Sequence, residues 1–173
     1  SCENDTSHLE VVCLGRFQEY YHVLQYYGVS CSDKSLSMIS IDTNNKGRLN
    51  NIWMYRLQIV QQYLSAGVDV ILTDSDAIWM RNPFVDLQDA SRLSDIVASR
   101  GFYPWDLAEQ WGACLCMGFI YIKAGPFSVD LFENIQSTLL TQERATLLLN
   151  TTFKPDDQLA MNQQLYRWGV QWP

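Results

Sequence analysis

Val70-Ile71-Leu72-Thr73-Asp74-Ser75-Asp76-Ala77-Ile78-Trp79-Met80-Arg81-Asn82-Pro83 is the stretch on which the fold turns. Val68 to Thr73 is apolar at its centre, the pattern of an interior strand in a parallel sheet covered on both faces. Two carboxylates follow directly. On an extended backbone, positions two apart point the same way, so Asp74 and Asp76 are expected to emerge together where the strand runs into a loop. In open α/β sheets, that end of a strand is where ligands bind.

Working outward, Trp53, Leu57, Val60 and Leu64 recur at helical spacing between Asn50 and Ala66, and Gly67 supplies a stop. Before them, Leu9 to Leu14 reads as a strand, followed by a helix carrying Phe17, Tyr20, Tyr21, Leu24 and Tyr27 up to Gly28. Ser37 to Ile41 is a second strand candidate, and Asp42 to Gly47 a polar loop. Beyond the Asn82-Pro83 break, Asp95 to Ser99 and Cys114 to Lys123 read as strands, the latter closed by Gly125-Pro126. A helix is expected from Ser128 as N-cap, turning Leu131, Phe132, Ile135 and Leu139 inward. Pro155 opens a last helix with Asp156 and Asp157 in its first turn. Strands separated by helices make this α/β, with a Rossmann-like, open, mostly parallel sheet flanked by helices.

The 173 residues correspond to one domain, taken as 1–173. Apolar residues at 47% against 18% charged exclude a disordered chain. Nineteen acidic and twelve basic residues leave a net charge of −7, which excludes the broad basic surface that a nucleic-acid partner requires. A phosphate-bearing ligand has to be met locally. No apolar run approaches the roughly 20 residues that span a bilayer, and Ser1 to Asp5 does not resemble a signal peptide. Cys2, Cys13, Cys31, Cys114 and Cys116 form no CxxC pair. Asn4-Asp5-Thr6 and Asn150-Thr151-Thr152 fit the N-glycosylation acceptor pattern.

Two hard oxygen ligands suit Mg²⁺ or Mn²⁺, which such sites hold through one or two carboxylates plus substrate phosphates and water. A divalent ion also resolves the charge problem, because it lets an acidic chain hold a diphosphate. An isolated Asp-x-Asp is most often a pair of loop or capping residues. Here it follows an apolar strand and precedes Trp79, Arg81 and Pro83, giving Asp-x-Asp-x-x-Trp-x-Arg-x-Pro.

With those residues the sequence resembles the nucleotide-diphospho-sugar transferase family that includes plant α-xylosyl- and arabinosyltransferases of cell-wall polymers and extensins. Gln61 through Phe84 is close to the family's LLSLGYDVLFSDADIVWLRDPF. Met117 to Lys123 is similar to its TGFFYVR strand, and Asp156-Asp157-Gln158 with Asn162 to its DQ…FN segment. The resemblance covers most of 9–168 and implies a glycosyltransferase A fold in which Mn²⁺ (or Mg²⁺) and the diphosphate of a nucleotide sugar bind the Asp-x-Asp. It implies Asp76 as a direct metal ligand, Asp74 on the metal or the nucleotide ribose, Ser75 beside them, and Asp157 and Gln158 facing the sugar pocket as catalytic candidates. The implied reaction moves a sugar, with retention, from a nucleotide-diphospho-sugar, UDP-linked by family habit, to a hydroxyl of a glycan or glycoprotein. It also implies further sequence at both ends, with an N-terminal anchor holding the domain in the Golgi lumen as part of a type II membrane protein. The chain departs from the pattern at Gly15-Arg16, where members usually carry Asp, and both His8 and His22 precede the Asp-x-Asp.

Two other classes compete. A haloacid-dehalogenase-type phosphatase also places Asp-x-Asp after an apolar strand, with the first Asp as nucleophile, but it usually continues with Gly and then Thr or Val, where this chain has Ala77-Ile78. A non-catalytic sugar- or nucleotide-binding domain is the other. Among single residues, Trp79 and Arg81 are expected to pack and cap the turn, and Asp156 to complement a helix dipole. Phe102, Tyr103 and Trp105 around Pro104, with Trp111, form either a core under a loop or a stacking platform. Cys114 and Cys116 suit packing better than a disulfide.

Overall fold

Leu57, Val60 and Leu64 line one helical face, and in the computed structural model they lie buried on α1, Asn45–Ser65. The structure describes residues 11–12, 26, 31–32, 45–74, 76–78, 80–149, 151 and 156–171. Expectations for Ser75, Trp79 and Pro155, for the helix residues Phe17, Tyr20, Tyr21, Leu24 and Tyr27, for the strand candidate at 37–41, for the departure from the family pattern at 15–16 and for the acceptor residues Asn4 and Asn150 lie outside them. α1 begins at Asn45, so the last three residues of the loop expected at 42–47 are helical. Its end is as expected: Gly67 has φ +77°, a left-handed conformation that a side chain disfavours.

The chain divides into two compact units, Ser1–Ile52 and Trp53–Pro173. In the first, β1 (Val11–Val12) pairs in parallel with β2 (Cys31–Ser32). Tyr26, between them, is helical, as the strand-helix reading expects.

In the second unit, β3 (Val70–Thr73), α2 (Pro83–Ala90), β4 (Ile96–Gly101), α3 (Trp105–Trp111), β5 (Cys114–Ile122), α4 (Pro126–Leu148) and α5 (Asp157–Arg167) follow α1. The α/β class is as read from the sequence. Strand direction is not: β5 is the centre of a three-stranded sheet in the order β3-β5-β4, antiparallel to both neighbours. A continuous apolar run reports that a strand is covered, and says nothing of which way its neighbours run. The cover is as expected, with Leu57, Val60 and Leu64 of α1, Leu131, Phe132, Ile135 and Leu139 of α4 and Met161 and Leu165 of α5 joining Met117, Ile120 and Ile122 of β5 in one core. At roughly 1.5–3 kcal/mol per fully buried large side chain, this cluster is what holds β5 and its neighbours in place.

α4 starts two residues before the expected cap. Pro126 opens it, and Ser128, 1% exposed, donates its hydroxyl to the Lys123 carbonyl at 2.6 Å and the Gly125 carbonyl at 3.0 Å. A hydroxyl turned back on the preceding loop ties that loop down instead of receiving helix N–H groups. Asn82 does cap: its side chain accepts from the Phe84 N–H at 3.0 Å and starts α2 at Pro83.

Behind the sheet edge, the Tyr121 hydroxyl donates to Asp69 Oδ2 at 2.6 Å, while Asp69 Oδ1 accepts the Ala124 N–H at 2.8 Å. Burial, and then the Asp69 carboxylate, push the phenol from its ordinary 10.0 up to about 12. The folded state therefore holds this proton more tightly than the unfolded chain, and its contribution is complete below pH 10 and lost as pH rises through 12. Between pH 9 and pH 12 wild type is expected to lose about 2 kcal/mol more than Tyr121→Phe, read from urea unfolding at both pH values. Equal losses in the two proteins would count against it.

Candidate functional site

β3 and β5 pair through Thr73 and Phe119, and the Asp74 N–H extends the ladder to the Gly118 carbonyl at 2.9 Å. There the chain turns. The Ala77 N–H donates to the Asp74 carbonyl at 3.1 Å, so the extended backbone ends at Asp74 and the two-residue alternation does not carry to Asp76. Asp74 and Asp76 are both exposed carboxylates at the strand end, one on the ladder and one in the turn.

Gly118 is what lets Asp74 lie against β5. A methyl group on its Cα would stand 3.2 Å from Asp74 Oδ2 and 3.5 Å from Cys116 Sγ. Asp74 Oδ1 accepts from Arg56 Nη1 at 2.9 Å. The other edge of the same guanidinium is taken by Asp157, whose Oδ2 accepts from Nε at 2.9 Å and from Nη2. Arg56 on α1 thus joins the strand end to the start of α5.

The three groups sit at different depths: the side chains of Asp74, Arg56 and Asp157 are 47%, 18% and 5% exposed. Burial pushes the Asp157 carboxyl above its ordinary range, and the Arg56 guanidinium opposes that shift. The outer carboxylate is solvated and able to meet a ligand; the inner one anchors the cation.

Gln158 and Asn162, one turn apart on α5, solve a different problem. The β3 ladder ends at Thr73–Phe119, so among the described residues Cys114 to Cys116 of β5 have strand partners in β4 alone. Gln158 Oε1 accepts the Met117 N–H at 3.1 Å, and the Asn162 amide both accepts from the Leu115 N–H at 2.7 Å and donates to its carbonyl at 2.9 Å. Two side-chain amides thus take backbone groups of β5 beyond the end of the β3 ladder. Gln158 Nε2 also donates to the Tyr103 carbonyl at 3.0 Å, so both ends of its amide hold backbone. Asn162→Leu leaves the Leu115 N–H and carbonyl buried and unpartnered, an expected loss of about 2–4 kcal/mol in unfolding free energy by denaturant titration.

Asp156 caps α5, accepting from the Leu159 N–H at 2.8 Å, and its other oxygen accepts from the Tyr103 hydroxyl at 2.7 Å. Arg81 pairs with Asp86 across the start of α2 at 2.8 Å, an exposed surface pair of little energetic consequence. Cys114 and Cys116 are both free thiols. Open cavities of about 340 and 290 Å³ flank Leu87 of α2, but neither is lined by Asp74, Asp76 or Asp157.

The structure therefore brings Asp74 and Asp157 together through Arg56, leaves Asp76 in the adjoining turn, and assigns Gln158 to backbone. Arg56 and Gly118 were not singled out by site reasoning from sequence. Arg56 had a signal: it lies three residues after Trp53 and four before Val60, a charge on an otherwise apolar face.

Among the described residues, no three His, Cys, Asp or Glu side chains gather as a metal cage. Asp74 and Asp76 are two exposed carboxylates, the ligand type that Mg²⁺ or Mn²⁺ takes together with phosphate and water. Among the described helices none is long and apolar enough to cross a membrane. A family model described as nucleotide-diphospho-sugar transferase matches residues 18–171. No curated protein and no solved structure matches the chain.

Proposed function

The chain belongs to the nucleotide-diphospho-sugar transferase family, and from that premise we propose that it transfers a sugar from a UDP-sugar to a hydroxyl of a glycan or glycoprotein, with Mn²⁺ or Mg²⁺ and with retention. The observation that carries this reading is the exposed Asp74 carboxylate at the end of β3, braced by Arg56 and followed in the turn by Asp76. Asp74 and Asp76 are the residues that would hold the ion, with Ser75 between them. When bound, the ion would neutralise the diphosphate and stabilise the charge that develops as it leaves.

The chain's own residues do the rest. Arg56 keeps Asp74 oriented while its other edge stays on Asp157. Asp157 and Gln158, at the sugar side, act as positioning residues: one holds Arg56, the other holds Tyr103 and β5. The acceptor hydroxyl oxygen bonds to the anomeric carbon as the bond to the diphosphate oxygen breaks; the bonding pair leaves with the diphosphate, whose oxygen takes the hydroxyl proton. Golgi residence behind an upstream anchor is part of the same proposal and rests on family resemblance alone.

The test is transfer and hydrolysis across a panel of UDP- and GDP-sugars, with Mn²⁺ and with excess EDTA, on wild type and Asp76→Ala. Activity that is indifferent to the chelator, or to the substitution, refutes the metal-dependent reading.

A further inference from the structure

Phe102 and Trp105 stand where β4 hands over to α3, and they are not a core. They are 54% and 72% exposed, with Tyr103 between them at 42%, while Pro104 is buried beneath. Their rings are nearly parallel, at 17° with centroids 6.3 Å apart. Exposed aromatic surface of this size carries a cost in water and marks a contact site when it is held in place.

It is held in place. Arg100 donates to the Gly112 carbonyl at 2.9 Å, which fixes its guanidinium 5.3 Å from the Phe102 ring centroid. The Pro104 carbonyl accepts the Ala108 N–H at 2.9 Å at the start of α3. Tyr103 is tied at both ends, its carbonyl to Gln158 and its hydroxyl to Asp156. Those two residues flank Asp157 at the start of α5, and Asp157 holds Arg56, which in turn holds Asp74.

We propose that Phe102 and Trp105 form a stacking subsite for a pyranose ring of the acceptor glycan, beside the Asp74–Arg56–Asp157 site. The identity of the ligand as an acceptor rests on the transferase reading; the presence of a sugar subsite does not. An aromatic face is negative, and the C–H groups on one face of a pyranose are weakly positive, so a flat sugar face suits an exposed ring that is held in place. The charge nearby selects against the competing occupant, a nucleotide base. The Tyr103 phenol is raised above its ordinary range by its hydrogen bond to Asp156, by burial and by Asp106, and these two carboxylates outnumber Arg100, the cation beside Phe102, a balance that does not favour a diphosphate and is indifferent to a neutral glycan.

The experiment is saturation-transfer NMR with cellohexaose, mannohexaose and galactohexaose on wild type, Trp105→Ala and Trp105→Phe, without metal or nucleotide. At least one hexaose is expected to bind, roughly tenfold more weakly to Trp105→Ala and with most affinity kept by Trp105→Phe, the order seen when a stacking ring is removed. Trp105 is exposed, so melting temperature should not move. Failure of all three sugars to bind, unchanged binding by Trp105→Ala, or displacement of the bound hexaose by UDP alone overturns the proposal. Nucleotide-sugar turnover with Mn²⁺ is read separately. Tryptophan-dependent glycan binding in a protein without turnover supports the subsite and refutes the transferase reaction.

Discussion

Arg56→Met is expected to lower the unfolding free energy by about 3–5 kcal/mol, because it leaves the Asp157 carboxylate buried without its cation. Little of that comes from Asp74, whose side chain is 47% exposed and whose pairing is screened by water. The loss has a pH signature. Burial already pushes the Asp157 carboxyl up, and removing the guanidinium that opposes it pushes it further. A carboxyl with a raised folded-state pKa binds its proton more tightly folded than unfolded, so stability falls as pH climbs from the ordinary carboxylate range through the folded value. Arg56→Met should therefore lie closest to wild type in acid and furthest from it near neutrality.

Asp157→Asn in the Arg56→Met background removes the orphaned charge and should restore much of the lost stability at neutral pH, with little dependence on pH. Urea unfolding of the two single variants and the double at pH 4.5 and 7.5 gives the coupling directly. A deficit of equal size at both pH values would mean that Arg56 acts through packing of its stem, and that Asp157 is not its charge partner.

The inner ion pair was not legible in the sequence, and the reason is instructive. Periodicity shows which face of a helix is buried, so Leu57, Val60 and Leu64 could be read correctly. Periodicity does not show what a single cation on that face meets, because Asp157 lies 101 residues away. Strand direction escaped for a related cause: β5 is apolar because it is covered, whichever way β3 and β4 run. α2 escaped because it buries only Leu87 and exposes Phe84 and Val85, leaving no apolar stripe to detect. At the Asp-x-Asp itself, residue types marked the place correctly at the end of an apolar strand. The local geometry was misjudged, since one backbone hydrogen bond from Ala77 to Asp74 ends the extended run. The resemblance carried what spacing could not, and the match over 18–171 places the chain in the family it named.

Asp76→Ala is expected to reduce Mn²⁺-dependent transfer by about three orders of magnitude while leaving the fold intact. Charge stabilisation by a bound ion is worth several kcal/mol in the transition state, and about 4 kcal/mol corresponds to roughly a thousandfold in rate. Asp76 is exposed in a turn, so its removal disturbs no packing and should shift the unfolding free energy by less than about 0.5 kcal/mol. Asp74→Ala is different in kind: it also frees one edge of Arg56 and should reduce activity with a small accompanying change in stability. Comparing the two variants separates ion binding from the bracing of the site. It also weighs the phosphatase alternative, in which Asp74 is the nucleophile and Asp76 the acid. That chemistry usually continues with Gly and then Thr or Val after the second Asp, where this chain has Ala77-Ile78. Mass spectrometry after incubation with acetyl phosphate should find Asp74 unmodified; a phosphorylated Asp74, together with no sugar transfer in Mn²⁺, would move the chain from sugar transfer to phosphate hydrolysis.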